Sequence, residues 1–358
     1  MAVATPGPAT QQARTGARTL FCVLGVSTPL LHAVVSIFKG ALEGEGGACA
    51  LVVGNTVSDM REGWAASGAG SPASTIFTSD SPDDTTVELF SRAGARMIVA
   101  VEDFVDAAIY LRAARGMSTP HALRFLTQTL STLAPALTGG QALLLRSRHA
   151  DAPLESLLAC LFDFIGRDAI DVAAVLRRIG AAGEETLRGY AQTHFPFREA
   201  EPPPADELAV MRALAQSYQP LLSGRAMAAA SWPTELFLDW DRPGDFLHGP
   251  VDLTGPARFI VCGPYLHLPL GRWRARFLVR IADNWSGNRM SLDIFSHEVL
   301  AGVAADLPAE GLYEFDVGFE VSSAYAPLEA RIQIQQGAIE GAFELVAVDF
   351  VAEQPGES

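Results

Sequence analysis

The side chains of this chain able to do chemistry are few and far apart. Gly25, Ser27 and Thr28 sit between an apolar run at 20–25 and Pro29. A hydroxyl followed by proline is a helix start, so this turn offers two hydroxyls at a helix N-terminus. His32 lies one turn further on, as a candidate base or as a core imidazole. Glu102 and Asp103 end an apolar run at 96–101 and offer either a carboxylate pair or, at Asp103, the acid of a helix start. His149 and Asp151 follow the run at 142–146 and offer a general-base pair or a solvated loop. His32, Glu102 and His149 are thus the catalytic candidates. No G-x-S-x-G, H-E-x-x-H, G-K-[ST] or G-x-G-x-x-G occurs.

Cys22, Cys49, Cys160 and Cys262 are widely spaced in apolar runs, without the spacing of metal ligands. They read as buried free thiols, which points to a reducing, cytoplasmic address and to no metal. Lys39 is the only lysine, so a Schiff base or a phosphate-gripping lysine would have to use it. A net charge of -15 excludes a nucleic-acid partner, because phosphate binding needs clustered cations. The apolar stretch 20–38 is interrupted by Gly25, Ser27, Thr28, Pro29, His32 and Ser36, so it reads as strand, turn and helix and not as a membrane span.

These candidates are carried by alternating elements. Strands are expected at 20–25, 48–54, 74–77, 96–101 and 142–146. Helices are expected at 29–42, 85–93, 104–115, 120–136 and 153–165, with more at 170–180 and 184–193. That order implies a three-layer α/β domain with a mostly parallel sheet, over 19–198, after a disordered start at 1–18. Ligands of such folds sit at strand C-terminal ends, which makes the turn 25–29 the default site. A connector over 199–234 contains E-A-E-P-P-P-A-D and a helix at 205–219, with 221–233 irregular.

From 235 to 352, before a tail at 353–358, the pattern changes to period two. Trp273, Ala275, Phe277, Val279 and Ile281 alternate with a polar set that includes Arg272, Arg274, Arg276 and Arg280, and 313–321 and 328–335 alternate likewise. Seven or eight strands separated by Gly, Pro and Asn turns imply an all-β sandwich of jelly-roll type.

Three segments resemble the sulfotransferase family, a branch of the phosphate-loop α/β proteins. V-L-G-V-S-T-P-L-L (23–31) stands where that family has strand, anion-binding loop and helix. A-R-M-I-V-A-V-E-D-F-V-D-A-A-I-Y-L (95–111) is similar to its second strand-and-helix motif. A-L-L-L-R-S (142–147) with the helix ending in F-I-G (164–166) is similar to its late strand and helix. The resemblance implies a site for phosphoadenosine phosphosulfate at Gly25, Ser27 and Thr28. The residues depart from it: no Lys or Arg lies between Leu20 and Lys39, and Glu102 replaces the arginine that would grip the 3'-phosphate. Arg146 or Arg148 is then the available substitute cation. The β-module, through 263–277, 292–295 and 343–350, resembles sandwich modules appended to bacterial polysaccharide-biosynthesis proteins, which implies carbohydrate handling.

Sugars are held by aromatic faces and planar polar side chains. Trp285, in the loop D-N-W-S-G-N-R, with Arg274, Arg276, Gln333 and Gln335, are the candidate contacts, and Tyr265, His267, Asp293 and Tyr325 lie near turns or on the polar face. The competing reading is a solvated strand face. The expectation is therefore an accessory, non-catalytic carbohydrate-binding protein of bacterial surface-polysaccharide biosynthesis or export, without a cofactor. Its partner would be a glycan, an acidic polysaccharide included, or another protein of that apparatus. The alternatives are an active sulfotransferase and a protein-interaction scaffold.

Overall fold

The computed structural model describes residues 19–43, 48–67, 74–166, 171–197 and 202–353; the start at 1–18, the first part of the connector and the tail at 354–358 lie outside these. The N-terminal half is an α/β domain. Its strands β1 (Thr19–Gly25), β2 (Cys49–Val53), β3 (Ser74–Ser79), β4 (Arg96–Val101) and β5 (Leu143–Arg146) form a parallel sheet in the order β2-β3-β1-β4-β5. Its helices are α1 (Pro29–Glu43), α2 (Val57–Ala66), α3 (Asp84–Arg92), α4 (Phe104–Arg115), α5 (Thr119–Thr138), α6 (Leu154–Ile165), α7 (Val172–Ile179) and α8 (Leu187–His194), and α9 (Ala205–Leu222) follows.

Alternation along β1 sorts the helices into two layers. Phe21 and Val23 face a core built with α1, α6, α7 and α8, while Cys22 and Leu24 face α2 to α5 and α9. Gly25 ends β1 because a Cβ there would stand 2.2 Å from the carbonyl oxygen of Ala100, so only glycine lets β1 and β4 close at this point. The sequence reading did not anticipate α2. That helix buries only Met60, so it has almost no apolar stripe, and it is fixed at its start by a capping box between Thr56 and Asp59.

The C-terminal half is an antiparallel β-sandwich. Its strands are β6 (Ala229–Trp232), β7 (Leu238–Asp239), β8 (Val251–Asp252), β9 (Arg258–Cys262), β10 (Pro264–Leu266), β11 (Gly271–Ala282), β12 (Asn288–Phe295), β13 (Val299–Leu307), β14 (Gly311–Val321), β15 (Leu328–Ile334) and β16 (Ala342–Ala352). One sheet runs β13-β12-β15-β9-β7 with β10 beside β15, and the other β14-β11-β16-β6 with β8 beside β16. Part of the stretch expected to be irregular at 221–233 is β6, which pairs with β16 and buries Ala230 and Trp232. Four residues give too short a pattern to read from sequence, and its alternation is completed only by the partner strand.

One core runs through both halves. Met211, Leu214, Tyr218 and Leu221 of α9 are buried with α4 and α5 on one side and with Trp232, Phe237 and Phe350 of the sandwich on the other. The Tyr218 ring stacks on Phe104 at 5.7 Å, and its hydroxyl donates to the carbonyl of His267. Arg124 of α5 donates to the carbonyl of Pro264 at 2.8 Å and lies over the Tyr265 ring, whose hydroxyl donates to Glu329 at 2.8 Å. Asp84, at the start of α3, accepts from the Ser323 hydroxyl and the Tyr325 N–H. Among the described residues no helix is long and apolar enough to cross a membrane.

His267 is 4% exposed in this junction, and burial pushes its imidazole down to about 4. The folded state therefore holds it neutral, while the unfolded chain takes up a proton below about pH 6.5. Its contribution to stability is complete above that pH and is lost as pH falls towards 4. Thermal unfolding across this window should show a loss on the order of 3 kcal/mol that His267→Asn flattens. An unchanged acid profile in the variant would assign the effect elsewhere.

Candidate functional site

Among the described residues, two places set polar and aromatic side chains together outside the junction of the two halves. The first is the cleft over the C-terminal ends of β1 and β4, where α1 lies on the opposite layer from the helices that follow the next three strands. Only Val26, Ser27 and Thr28 separate β1 from α1. The Val26 N–H donates to Ala100 at 3.3 Å, Thr28 Oγ1 donates to the Val26 carbonyl at 3.4 Å, and Ser27 Oγ accepts from Arg115 at 2.5 Å. Ser27 and Thr28 are fully buried. The loop is therefore short and its hydroxyls are already engaged.

Arg115 is the cation that sequence reasoning missed. It ends α4, where a basic residue reads as a complement to the helix dipole, and only the fold carries it 88 residues back to Ser27. Its charge is not free, because Asp80 at the end of β3 pairs with it. His32 stands in the same field. Burial lowers its imidazole pKa, with Asp80 opposing and Arg115 reinforcing that shift.

Glu102 accepts from Ser147 Oγ at 2.7 Å, and the same hydroxyl accepts from the Asp103 N–H at 2.7 Å. Burial raises the Glu102 carboxyl above its ordinary value, against the Ser147 bond and Arg188. Asp103 caps α4, accepting from the N–H groups of Val105 and Asp106. His149 and Asp151 are not brought together: His149 Nδ1 accepts from the Arg146 N–H at 3.2 Å, while Asp151 pairs with Arg188 at 2.8 Å. Arg146 and Arg148 line a separate hollow beside Glu102 with Gln219 and Ser223. A phosphosulfate needs exposed N–H groups and uncompensated cations. Buried hydroxyls, an arginine neutralised by Asp80 and an adjacent Glu102 do not fit that group.

The second place is the outer face of the β13-β12-β15-β9-β7 sheet. Met290, Leu292 and Ile294 point into the sandwich, so Ser291, Asp293 and Phe295 point out, and cross-strand register sets them opposite Gln333, Arg331 and Glu329. Arg331 binds Asp293 through two hydrogen bonds, at 2.8 and 3.1 Å, and lies 4.0 Å from the Phe295 ring centroid and 5.4 Å from that of Phe259. Trp240 packs on Phe259 at 4.9 Å and is 44% exposed. The adjoining outward positions of β13 are Gly302 and Ala304, which leave the face open. The result is a platform of aromatic rings and planar polar groups.

The five residues proposed from sequence as sugar contacts are not brought together. Arg274 and Arg276 lie on the other sheet, paired with Glu353 at 2.7 Å and Asp316 at 3.5 Å, and Arg280 pairs with Glu344 at 3.4 Å. Three of the four arginines of the row, Arg274, Arg276 and Arg280, thus find counter-charges on their own sheet and at that sheet's end. Gln333 is on the platform, Gln335 follows β15 in an exposed turn, and Trp285 is 66% exposed on the loop between β11 and β12. Tyr265 and His267 belong to the junction. The alternation that exposes Asp293 and Gln333 was visible in sequence; the roles of Trp240, Phe259 and Phe295 were not.

No family model matches the chain, and no curated protein matches it. Among solved structures it is similar to mouse sulfotransferase SULT7A1 complexed with PAP, at 10% identity and a TM-score of 0.34 over 54% of this chain and 78% of that one. It is also similar to carbohydrate-binding modules of the β-sandwich superfamily, at 14% identity and a TM-score of 0.21 over 35% and 50%. A third is the Glycosylation Associate Protein (Gap123) complex from Streptococcus agalactiae, at 11% identity and a TM-score of 0.20 over 85% and 49%. These likenesses are too distant to carry function. What the chain does has to be read from its own side chains.

Because burial raises the Glu102 pKa, ionising this group costs stability as pH rises through its folded value, while below the unfolded value of about 4.3 there is no cost. Glutamine keeps the acceptor for Ser147 and cannot ionise. Glu102→Gln should therefore melt higher than the parent at pH 7, with the difference closing as the pH approaches about 4. A lower melting temperature at pH 7 would mean that attraction to Arg188 outweighs the burial.

Proposed function

We propose that the chain is an accessory, non-catalytic carbohydrate-binding protein, serving bacterial surface-polysaccharide biosynthesis or export from the cytoplasm. The observation that carries this reading is the platform on the outer sheet face. Trp240 offers an apolar face to the C–H side of sugar rings, and Arg331, stacked on Phe295 and paired with Asp293, joins Gln333 in offering fixed, planar donors and acceptors for hydroxyls. The charge of Arg331 is spent on Asp293, which favours a neutral glycan over an acidic one. The α/β domain then serves as the support to which the sandwich is welded through α9, and no cofactor is needed.

One observation favours the second reading, a working sulfotransferase. Arg115 does reach the loop, so release from Asp80 would supply a cation. Calorimetry with 3'-phosphoadenosine 5'-phosphate decides between the two. No heat of binding at about millimolar nucleotide is expected, and affinity near micromolar would bring the transferase forward.

In a glycan array with the full chain, neutral oligosaccharides should be retained. Trp240→Ala and Gln333→Ala should each weaken binding about tenfold, roughly 1.4 kcal/mol, without changing the unfolding profile. If Trp285→Ala alone abolished binding, the glycan would sit at the loop tip and the platform would be only a packed sheet face.

A further inference from the structure

The cleft over β1 and β4 fits a ligand of another kind from the one its fold would suggest. It is a half-open cleft of about 220 Å³, with room for a single sugar-sized ring. One wall carries Glu102 and, one helical turn on, Asp106. The facing helix α8 carries Arg188 and, one turn on, Gln192. Beside them Tyr110 and Phe197 meet edge to face at 5.0 Å, with Phe197 40% exposed. An exposed ring backed by a second ring is a packing face without an occupant among the described residues.

The charge balance indicates what that occupant would carry. Glu102 and Asp106 contribute two carboxylates, while the one cation lining the cleft, Arg188, is paired with Asp151. Ser147 occupies one oxygen of Glu102, and among the described residues no protein donor reaches the carboxylate of Asp106. Arg115 reaches the loop at Ser27, where Asp80 pairs with its charge. Arg188 offsets part of this charge, but Glu102, Asp106 and Asp151 outnumber it, so an anion entering here would meet an excess of negative groups that an ammonium would relieve. The planar ends of Glu102, Asp106, Arg188 and Gln192 suit neighbouring hydroxyls, and the Tyr110–Phe197 pair suits both the C–H face of a sugar and a nearby cation.

We propose that this cleft binds a single hydroxylated amine, a free amino sugar, with its ammonium towards Glu102 and Asp106 and its ring against Phe197. The site is separate from the platform on the sandwich, so either can fail without the other. It gives the α/β domain a ligand of its own, in which a positive group takes the place of the phosphosulfate expected for its fold.

D-glucosamine is the probe, with D-glucose as the control lacking the ammonium. The full chain is labelled at isoleucine methyls and titrated by NMR. Ile109 lines the cleft, and its signal is assigned with Ile109→Val. The expected result is a saturating shift at Ile109 with D-glucosamine, with affinity about tenfold tighter than for glucose. The double variant Glu102→Gln, Asp106→Asn should lose that affinity at least about tenfold while the remaining methyl signals keep their dispersion. Equal affinities, undiminished binding in the double variant, or no saturating shift at Ile109 up to about 50 mM would overturn the proposal. If the double variant unfolds, Gln192→Ala and Phe197→Ala provide the same comparison from the opposite wall.

Discussion

The burial of α9 is the constraint on which the rest of this molecule depends. Tyr218 is wholly enclosed, stacked on Phe104 of the α/β domain and bonded through its hydroxyl to the backbone of the sandwich at His267. A buried phenol without an acceptor would cost several times what its ring gains in a neutral contact. The helix is therefore tied to both halves through this one residue. Met211, Leu214 and Leu221 extend the same seam, and β6 follows directly to pair with β16. What composition presents as two units joined by a connector is folded around a common core.

That arrangement separates the polar groups by purpose. At the junction, Arg124, Tyr265, Glu329 and Asp84 spend their hydrogen bonds on joining the halves. On the β14-β11-β16-β6 sheet the arginines face carboxylates of their own sheet, and such exposed pairs contribute little each. The outer face of the other sheet and the cleft over β1 and β4 set polar groups beside aromatic rings.

The α/β cleft is poorly suited to an anion at the strand ends where ligands of such sheets bind. The loop after β1 is short, its hydroxyls turn inward, and the one cation that reaches it is matched by Asp80. Glu102 then occupies the strand end in a setting that disfavours its own ionisation. Each feature lowers the affinity for a phosphate or sulfate.

Much of this was legible in the chain alone. Strands β4, β11 and β16 and helix α4 have the bounds that alternation, period and caps imply, because each carries its whole pattern within itself. The division into a parallel α/β domain and an antiparallel sandwich follows from the same periodicities, and the mismatch of Glu102 with an anion site was visible as a residue type. Other features were decided only by tertiary structure. Helix α2 and strand β6 bury too little on their own to announce themselves. Arg115 meets Ser27, Trp240 meets Phe259, and Arg331 stacks on Phe295 across sequence separations that no local pattern encodes. Sequence period fixes which face a side chain takes, but which other faces it meets depends on register and on the packing of α9, and these exist only once the chain has folded.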